Sequence, residues 1–194
     1  QARKWFPKGR GTVIPNLIDL KPYHHLPGPD AARAAFPLLT NGRPSVLFLS
    51  RVHYKKGVEV LLDAAAMLRD AGVDVNVLIA GGGENGYISG LRQQVARLNL
   101  ADRVEFLGMV KSPLKESLYQ ACRVFALPTS QENFGFVFYE ALACGLPVVT
   151  TFDVDTWPEL KASGGAVIVK RNAGAFVDAI KAVLADNTAR EDMG

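Results

Sequence analysis

Apolar residues along this chain fall into short runs that alternate with longer stretches of helical spacing. Residues 46–50, 75–80, 104–107, 124–127, 147–151 and 166–169 are short apolar runs, the pattern of strands buried on both faces of a parallel sheet. Between the first two, Val58, Leu61, Leu62, Ala65 and Leu68 recur at helical spacing, and Gly72 ends the pattern. Residues 87–98, 136–144 and 157–162 also read as helices. Ser112-Pro113 predicts a helix start, with serine as the cap and proline at the first helical position. Asn172 caps a last helix that buries Phe176, Ala179, Ile180, Val183 and Leu184.

Strand and helix thus alternate about six times. That alternation predicts an α/β fold: a Rossmann-like, parallel six-stranded sheet with helices on both faces and right-handed crossovers. Such sheets bind ligands at the carboxyl ends of their strands. The loops there begin at Arg51, Gly81, Gly108, Pro128 and Thr151. Residues 1–44 differ in character. Their seven prolines break any long element, so they read as a linker with short pieces of strand and helix, leaving residues 45–194 as the domain.

Composition narrows the picture. With 194 residues, 48% of them hydrophobic, the chain can bury one core. A net charge of +3 is too small to point to nucleic acid. Cys122 and Cys144 sit in apolar helical patterns and read as reduced core thiols, as in a cytosolic protein. No apolar run approaches the roughly 20 residues of a membrane span. Gln1 is not a natural initiator, so the chain reads as a fragment.

The most informative stretch is residues 132–147. Glu132 and Glu140 flank Phe134-Gly135-Phe136, where a helix begins. Unpaired amides at a helix start suit a phosphate. Carboxylates suit sugar hydroxyls, which donate to ionised oxygens. Phosphate and sugar hydroxyls together suggest a nucleotide sugar. Arg51 follows the first strand, and Lys56 opens the next helix five residues later. Alone, such a pair is an ordinary solvated surface feature; beside the double-glutamate segment it reads as a clamp for a diphosphate. No glycine-rich fingerprint follows the first strand, which counts against a dinucleotide dehydrogenase. Asp153-Val154-Asp155 reads as a turn or helix cap rather than a metal site, and His24, His25 and His53 lack partners at metal-binding spacing. Phe138 reads as core and Phe134 as a loop residue beside the ligand.

These pieces resemble the C-terminal, donor-binding domain of GT-B glycosyltransferases of the large retaining family 4, the glycosyl transferases group 1. The resemblance runs from about residue 12 to 186. It rests on Pro15-Asn16 to Asp19, Ser50-Arg51 to Lys56-Gly57, Ala80-Gly81-Gly82-Gly83, residues 104–108, Leu127-Pro128-Thr129, Glu132 to Glu140, residues 141–149 and Pro158-Glu159-Leu160. It implies that Arg51 and Lys56 hold the donor diphosphate and stabilise the leaving group, and that Glu132 faces the transferred sugar. It implies that backbone amides of Phe134, Gly135 and Phe136 meet sugar and phosphate, that Glu140 binds the ribose hydroxyls, and that Val110 and Lys111 contact the base. No metal or other cofactor is implied. The substrate would be a nucleoside-diphosphate sugar, UDP- before GDP- or ADP-, because Lys111-Ser112 lacks an aspartate that some guanine-nucleotide members carry there.

On this resemblance residues 1–44 include an interdomain linker, the acceptor-binding N-terminal half of the chain is missing, and the fragment alone is inactive. Any peripheral contact with a membrane would fall to that missing half, and the whole enzyme would work in the cytoplasm or at the inner face of the membrane. The acceptor would be a saccharide, polysaccharide or lipid. Two other readings keep the fold: a non-catalytic sugar-nucleotide-binding module, and a GT-B sugar-nucleotide epimerase. Two positions depart from the family pattern: Ser50 where glycine often precedes the arginine, and Lys170-Arg171-Asn172 where a proline and an acid are common.

Overall fold

A computed structural model describes residues 16–185. Pro15 of the linker motif lies outside the described residues. Six strands are present: β1 (Ser45–Leu49), β2 (Asn76–Ala80), β3 (Val104–Gly108), β4 (Val124–Leu127), β5 (Val148–Thr151) and β6 (Ala166–Val169). All pair in parallel, in the order β3-β2-β1-β4-β5-β6. The chain therefore winds outward from β1 to β3, returns to the middle at β4, and winds outward the other way. With right-handed crossovers, the helices of the two halves cover opposite faces. This is the Rossmann-like α/β sheet that the apolar runs predict.

Burial explains the runs. In β1, β2, β4 and β5 nearly every side chain is buried, because neighbours flank each strand and helices cover both faces. The edge strands β3 and β6 are only partly covered. The helices are α1 (Asp30–Ala35), α2 (Val58–Asp70), α3 (Asn85–Arg97), α4 (Leu114–Ala121), α5 (Phe136–Ala143), α6 (Trp157–Ala162) and α7 (Ala173–Ala185). In α2 the predicted face of Val58, Leu61, Leu62, Ala65 and Leu68 is buried. At the start of α7, Asn172 Oδ1 accepts from the Ala175 N–H at 2.9 Å, as a cap should. Helix α7 packs on α2, and α1 packs on α4. The Ala32 N–H at the core of that second contact donates to Ser117 Oγ at 2.9 Å.

Two local readings need correction. Ser112 does not cap α4: Pro113 occupies the cap position, and the Ser112 hydroxyl donates to Glu116 Oε1 at 2.7 Å. Ser112 therefore lies one residue before the cap position, where its hydroxyl meets the Glu116 carboxylate instead. Lys56 does not open a helix either. It ends a 3-10 turn, Tyr54–Lys56, and the helix starts at Val58 after Gly57. Cys122 and Cys144 are buried and are not joined in a disulfide.

Candidate functional site

In the order β3-β2-β1-β4-β5-β6 the winding direction reverses between β1 and β4. The loops leaving the carboxyl ends of these two strands lead to helices on opposite faces of the sheet, and such a switch point is the usual ligand position. Arg51 lies on the loop after β1. The Ser50 N–H donates to Ala80 O at 3.1 Å and the Val52 N–H to Gly82 O at 2.8 Å. These bonds fix the backbone on both sides of Arg51, whose side chain is exposed and has no partner among the described residues. Arg51 also lines a cleft of about 560 Å³ at the ends of β1 to β3, together with Gly81, Gly83, Glu84, Met109 and Val110. Lys111, one residue beyond, is exposed.

Lys56 is built differently. His53 Nδ1 accepts from the Lys55 N–H at 3.3 Å and so caps the 3-10 turn. Gly57 then reverses the chain at φ +71°. A side chain there would bring its Cβ to 2.1 Å from Pro128 O, so only glycine lets the Lys56 turn lie against the loop after β4. The side chain of Lys56 is only 10% exposed, and Nζ donates to Glu132 Oε2, with Gln131 O at 3.5 Å. A buried ammonium requires such a partner. The same two loops are joined again where Lys55 O accepts from the Ser130 N–H at 2.7 Å and from the hydroxyls of Thr129 and Ser130 at 3.2 Å. Lys55 Nζ donates to Gln131 Oε1 at 2.9 Å.

Glu132 is held from below as well. Its N–H donates to Asp153 O at 3.0 Å, and its carbonyl accepts from the Asp155 N–H at 2.8 Å. Asp153-Val154-Asp155 thus forms a turn supporting Glu132 through its backbone. Beyond Glu132, Gly135 stands at φ +73° at the start of α5, against the Phe138 ring. The N–H groups of Phe134, Gly135, Phe136 and Val137 have no acceptor among the described residues, leaving a row of donors at a helix start. Phe134 stacks on Tyr139, with ring centroids 4.9 Å apart, and its carbonyl accepts from Thr156 Oγ1 at 3.0 Å. Phe136 remains 45% exposed, while Phe138 is fully buried.

Glu140 faces α4. Its Oε2 accepts from the Tyr119 hydroxyl at 3.0 Å, and its Oε1 lies 2.9 Å from Lys115 Nζ. Burial, and then the Glu140 charge, raises the Tyr119 phenol well above its usual range, so Tyr119 remains a proton donor. Burial also pushes the nearby Cys144 thiol up to about 12, with Glu116 and Glu140 adding to the effect.

The structure thus brings Lys56 and Glu132 into contact, sets the row of free amides beyond Glu132, and leaves Arg51 exposed on the rim of a cleft that Val110 shares. That cleft does not include Lys56, Glu132, Glu140 or the 134–136 segment. Sequence reasoning missed Tyr119 and Lys115 as partners of Glu140, Gln131 as a partner of both lysines, and Arg171. Arg171 Nε donates to Pro128 O at 2.9 Å. Among the described residues no group of three or more His, Cys, Asp or Glu is placed to hold a metal ion, and no helix is long and apolar enough to cross a membrane.

A known family and several known proteins are similar to this chain. The sequence profile of the family described as glycosyl transferases group 1 matches residues 32–194. The chain is 38% identical over 186 residues to a D-inositol 3-phosphate glycosyltransferase of Mycolicibacterium smegmatis, covering 91% of this chain and 40% of that one. It is 32% identical to a phosphatidyl-myo-inositol mannosyltransferase of Mycobacterium leprae, covering 98% and 49% respectively. It therefore spans less than half the length of either relative. Among solved structures, Anabaena HepE in complex with UDP and glucose superposes with a TM-score of 0.80 at 25% identity, covering 94% of this chain and 49% of that one.

Proposed function

Because this chain belongs to the glycosyl transferases group 1 family, with a GT-B-type Rossmann-like domain, we propose that it is the donor-binding half of a two-domain glycosyltransferase. The enzyme transfers a sugar from a nucleoside-diphosphate sugar to a saccharide, polysaccharide or lipid acceptor, with retention of anomeric configuration and without a metal ion. The observation that carries this reading is the meeting of two loops at the switch point. Exposed Arg51 and the Lys56–Glu132 pair stand there beside a row of unpaired amides. The solved complex of HepE with UDP and glucose supports a uridine nucleotide as donor. Coverage of less than half of each relative supports an acceptor-binding half elsewhere in the full chain, reached through the linker of residues 1–44, with residues 45–194 holding the donor.

Loss of the nucleoside diphosphate builds negative charge on its β-phosphate. Arg51 supplies a rigid fork of donors and Lys56 a point charge already in position, so both stabilise the leaving group most in the transition state. The three Nζ protons of Lys56 allow it to keep Glu132 while donating to phosphate. Glu132, at the other end of that pair, faces the sugar. The amides of Phe134, Gly135 and Phe136 take sugar and phosphate oxygens. Glu140, fixed by Tyr119 and Lys115, accepts from the ribose hydroxyls, and Val110 and Lys111 flank the base. Donor sugars are made in the cytosol, so the enzyme works in the cytoplasm or on the membrane face turned to it.

The test is to incubate the full-length enzyme with UDP-glucose and EDTA, water serving as acceptor, and to follow the sugar by NMR. The α anomer of glucose should appear first, while the isolated donor half should release none. First appearance of the β anomer would refute retention, and a requirement for added metal would refute metal independence. A sugar of altered ring configuration, formed without acceptor, would identify an epimerase instead.

A further inference from the structure

Arg171 lies on the loop between β6 and α7, where the family pattern commonly has an acid, and nothing in its local sequence marks a role. Its guanidinium donates from Nε to Pro128 O at 2.9 Å and from an Nη to Tyr54 O at 3.4 Å. Each acceptor is informative. Tyr54 is the first residue of the 3-10 turn that carries Lys56. Pro128 is the first residue beyond β4, on the loop that carries Glu132, and its carbonyl is the atom against which Gly57 packs. One rigid fork therefore joins, from a third loop, the two segments whose side chains form the Lys56–Glu132 pair.

The surrounding packing makes this tie stiff. Helix α7 lies against α2, the helix that follows Gly57, so Arg171 is anchored to the element the Lys56 turn leads into. The direct bonds between the two loops run through Lys55 O, through the exposed Lys55 Nζ to Gln131 Oε1, and through Lys56 Nζ itself. When a diphosphate draws on the Nζ protons, the tie through Lys56 weakens, while the tie through Arg171 does not involve the lysine side chain at all. We propose that Arg171 is a positioning residue: it holds the Tyr54–Lys56 turn in register with the Pro128–Glu132 loop so that Lys56 is preset for the donor diphosphate. This rests on the donor-binding reading above. Arginine is needed rather than lysine, because the fork reaches two carbonyls in a fixed geometry and an ammonium on a flexible stem does not.

Three measurements on the full-length protein test this. The first is amide hydrogen exchange at Lys56 and Ser130, whose N–H groups close the turn and the loop-to-loop bond. Arg171→Gln should speed exchange at both sites about tenfold or more and leave the α2 amides unchanged; no change, or a uniform change throughout the domain, overturns the proposal. The second is titration with UDP. Arg171→Gln and Arg171→Lys should both weaken UDP about tenfold, in line with the sensitivity of positioned groups to small displacements. Full retention by Arg171→Lys would show that charge alone matters and would overturn the positioning role. The third is the double variant Arg171→Gln with Lys56→Ala. The cost of Arg171→Gln should largely vanish once Lys56 is gone, whereas additive losses would overturn the coupling. The exchange arm does not depend on the ligand. Loosened amides in a protein that binds no UDP would sink the donor reading and keep the tie; UDP binding sensitive to Arg51 but indifferent to Arg171 would do the reverse.

Discussion

Gly57→Ala and Gly72→Ala make a matched pair. Both glycines have left-handed backbone, at φ +71° and +74°, and both flank α2. A side chain at Gly72 would meet nothing within 4 Å, whereas one at Gly57 would place Cβ 2.1 Å from Pro128 O. Backbone strain alone costs about 1 kcal/mol at either site. At Gly57 the turn and the Pro128 loop must also separate by about 1 Å, an overpacking cost of roughly 2 kcal/mol more. Urea unfolding should therefore give a loss of about 1 kcal/mol for Gly72→Ala and about 3 kcal/mol for Gly57→Ala. The displacement falls on the contact between Lys56 and Glu132, so turnover of the full-length enzyme should drop about 100-fold in Gly57→Ala and stay unchanged in Gly72→Ala. Equal stability losses, or a fully active Gly57→Ala enzyme, would refute the idea that close approach of these two loops sets the site.

Other outcomes follow from the same geometry. Lys56→Ala should lower turnover about 100-fold, as loss of one charge-stabilising donor does, and nucleotide affinity only about tenfold; steady-state kinetics and titration separate the two, and an unchanged rate removes Lys56 from the mechanism. Tyr119→Phe deletes the hydroxyl that fixes Glu140 and should weaken nucleotide binding about tenfold in calorimetry without unfolding the protein. The Cys144 thiol is raised from 9.0 to about 12 in the folded chain, so the native state holds this proton more tightly than the unfolded state does. Its contribution is complete below about pH 9 and is lost as pH rises towards 12, so denaturation midpoints should begin to fall above about pH 9. In Cys144→Ala the fall above about pH 9 should be shallower, with Tyr119 adding its own loss from about pH 10 upward; an unchanged slope between about pH 9 and 10 would contradict the assignment.

The sheet was legible because a strand buried on both faces must be mostly apolar, and β1, β2, β4 and β5 are apolar apart from Ser45, Asn76, Thr150 and Thr151, whose buried side chains are hydrogen-bonded. Element ends were less so. Ser112-Pro113 carries a sound local signal, but Glu116, one turn onward and buried, takes the serine hydroxyl. Lys56 was grouped with Arg51 by sequence proximity, and its contact with Glu132, 76 positions away, has no local trace. Tyr119 and Arg171 were missed for the same reason. Tyr119 sits on an ordinary apolar helix face, 21 positions from Glu140, and Arg171 lies 43 positions from the carbonyl it holds. Periodicity and capping rules act over a few residues, whereas these partners are set by which loops the strand order brings together at one end of the sheet.

The proposed donor site rests on Arg51, Lys56, Glu132 and Glu140 acting together on one nucleotide. Calorimetric titration of the chain with UDP, GDP and ADP in EDTA tests it most directly. Saturable, metal-free binding of UDP in preference to the other two is expected, as is its loss in Arg51→Ala and in Glu140→Ala. UDP binding of equal strength in both variants would contradict it.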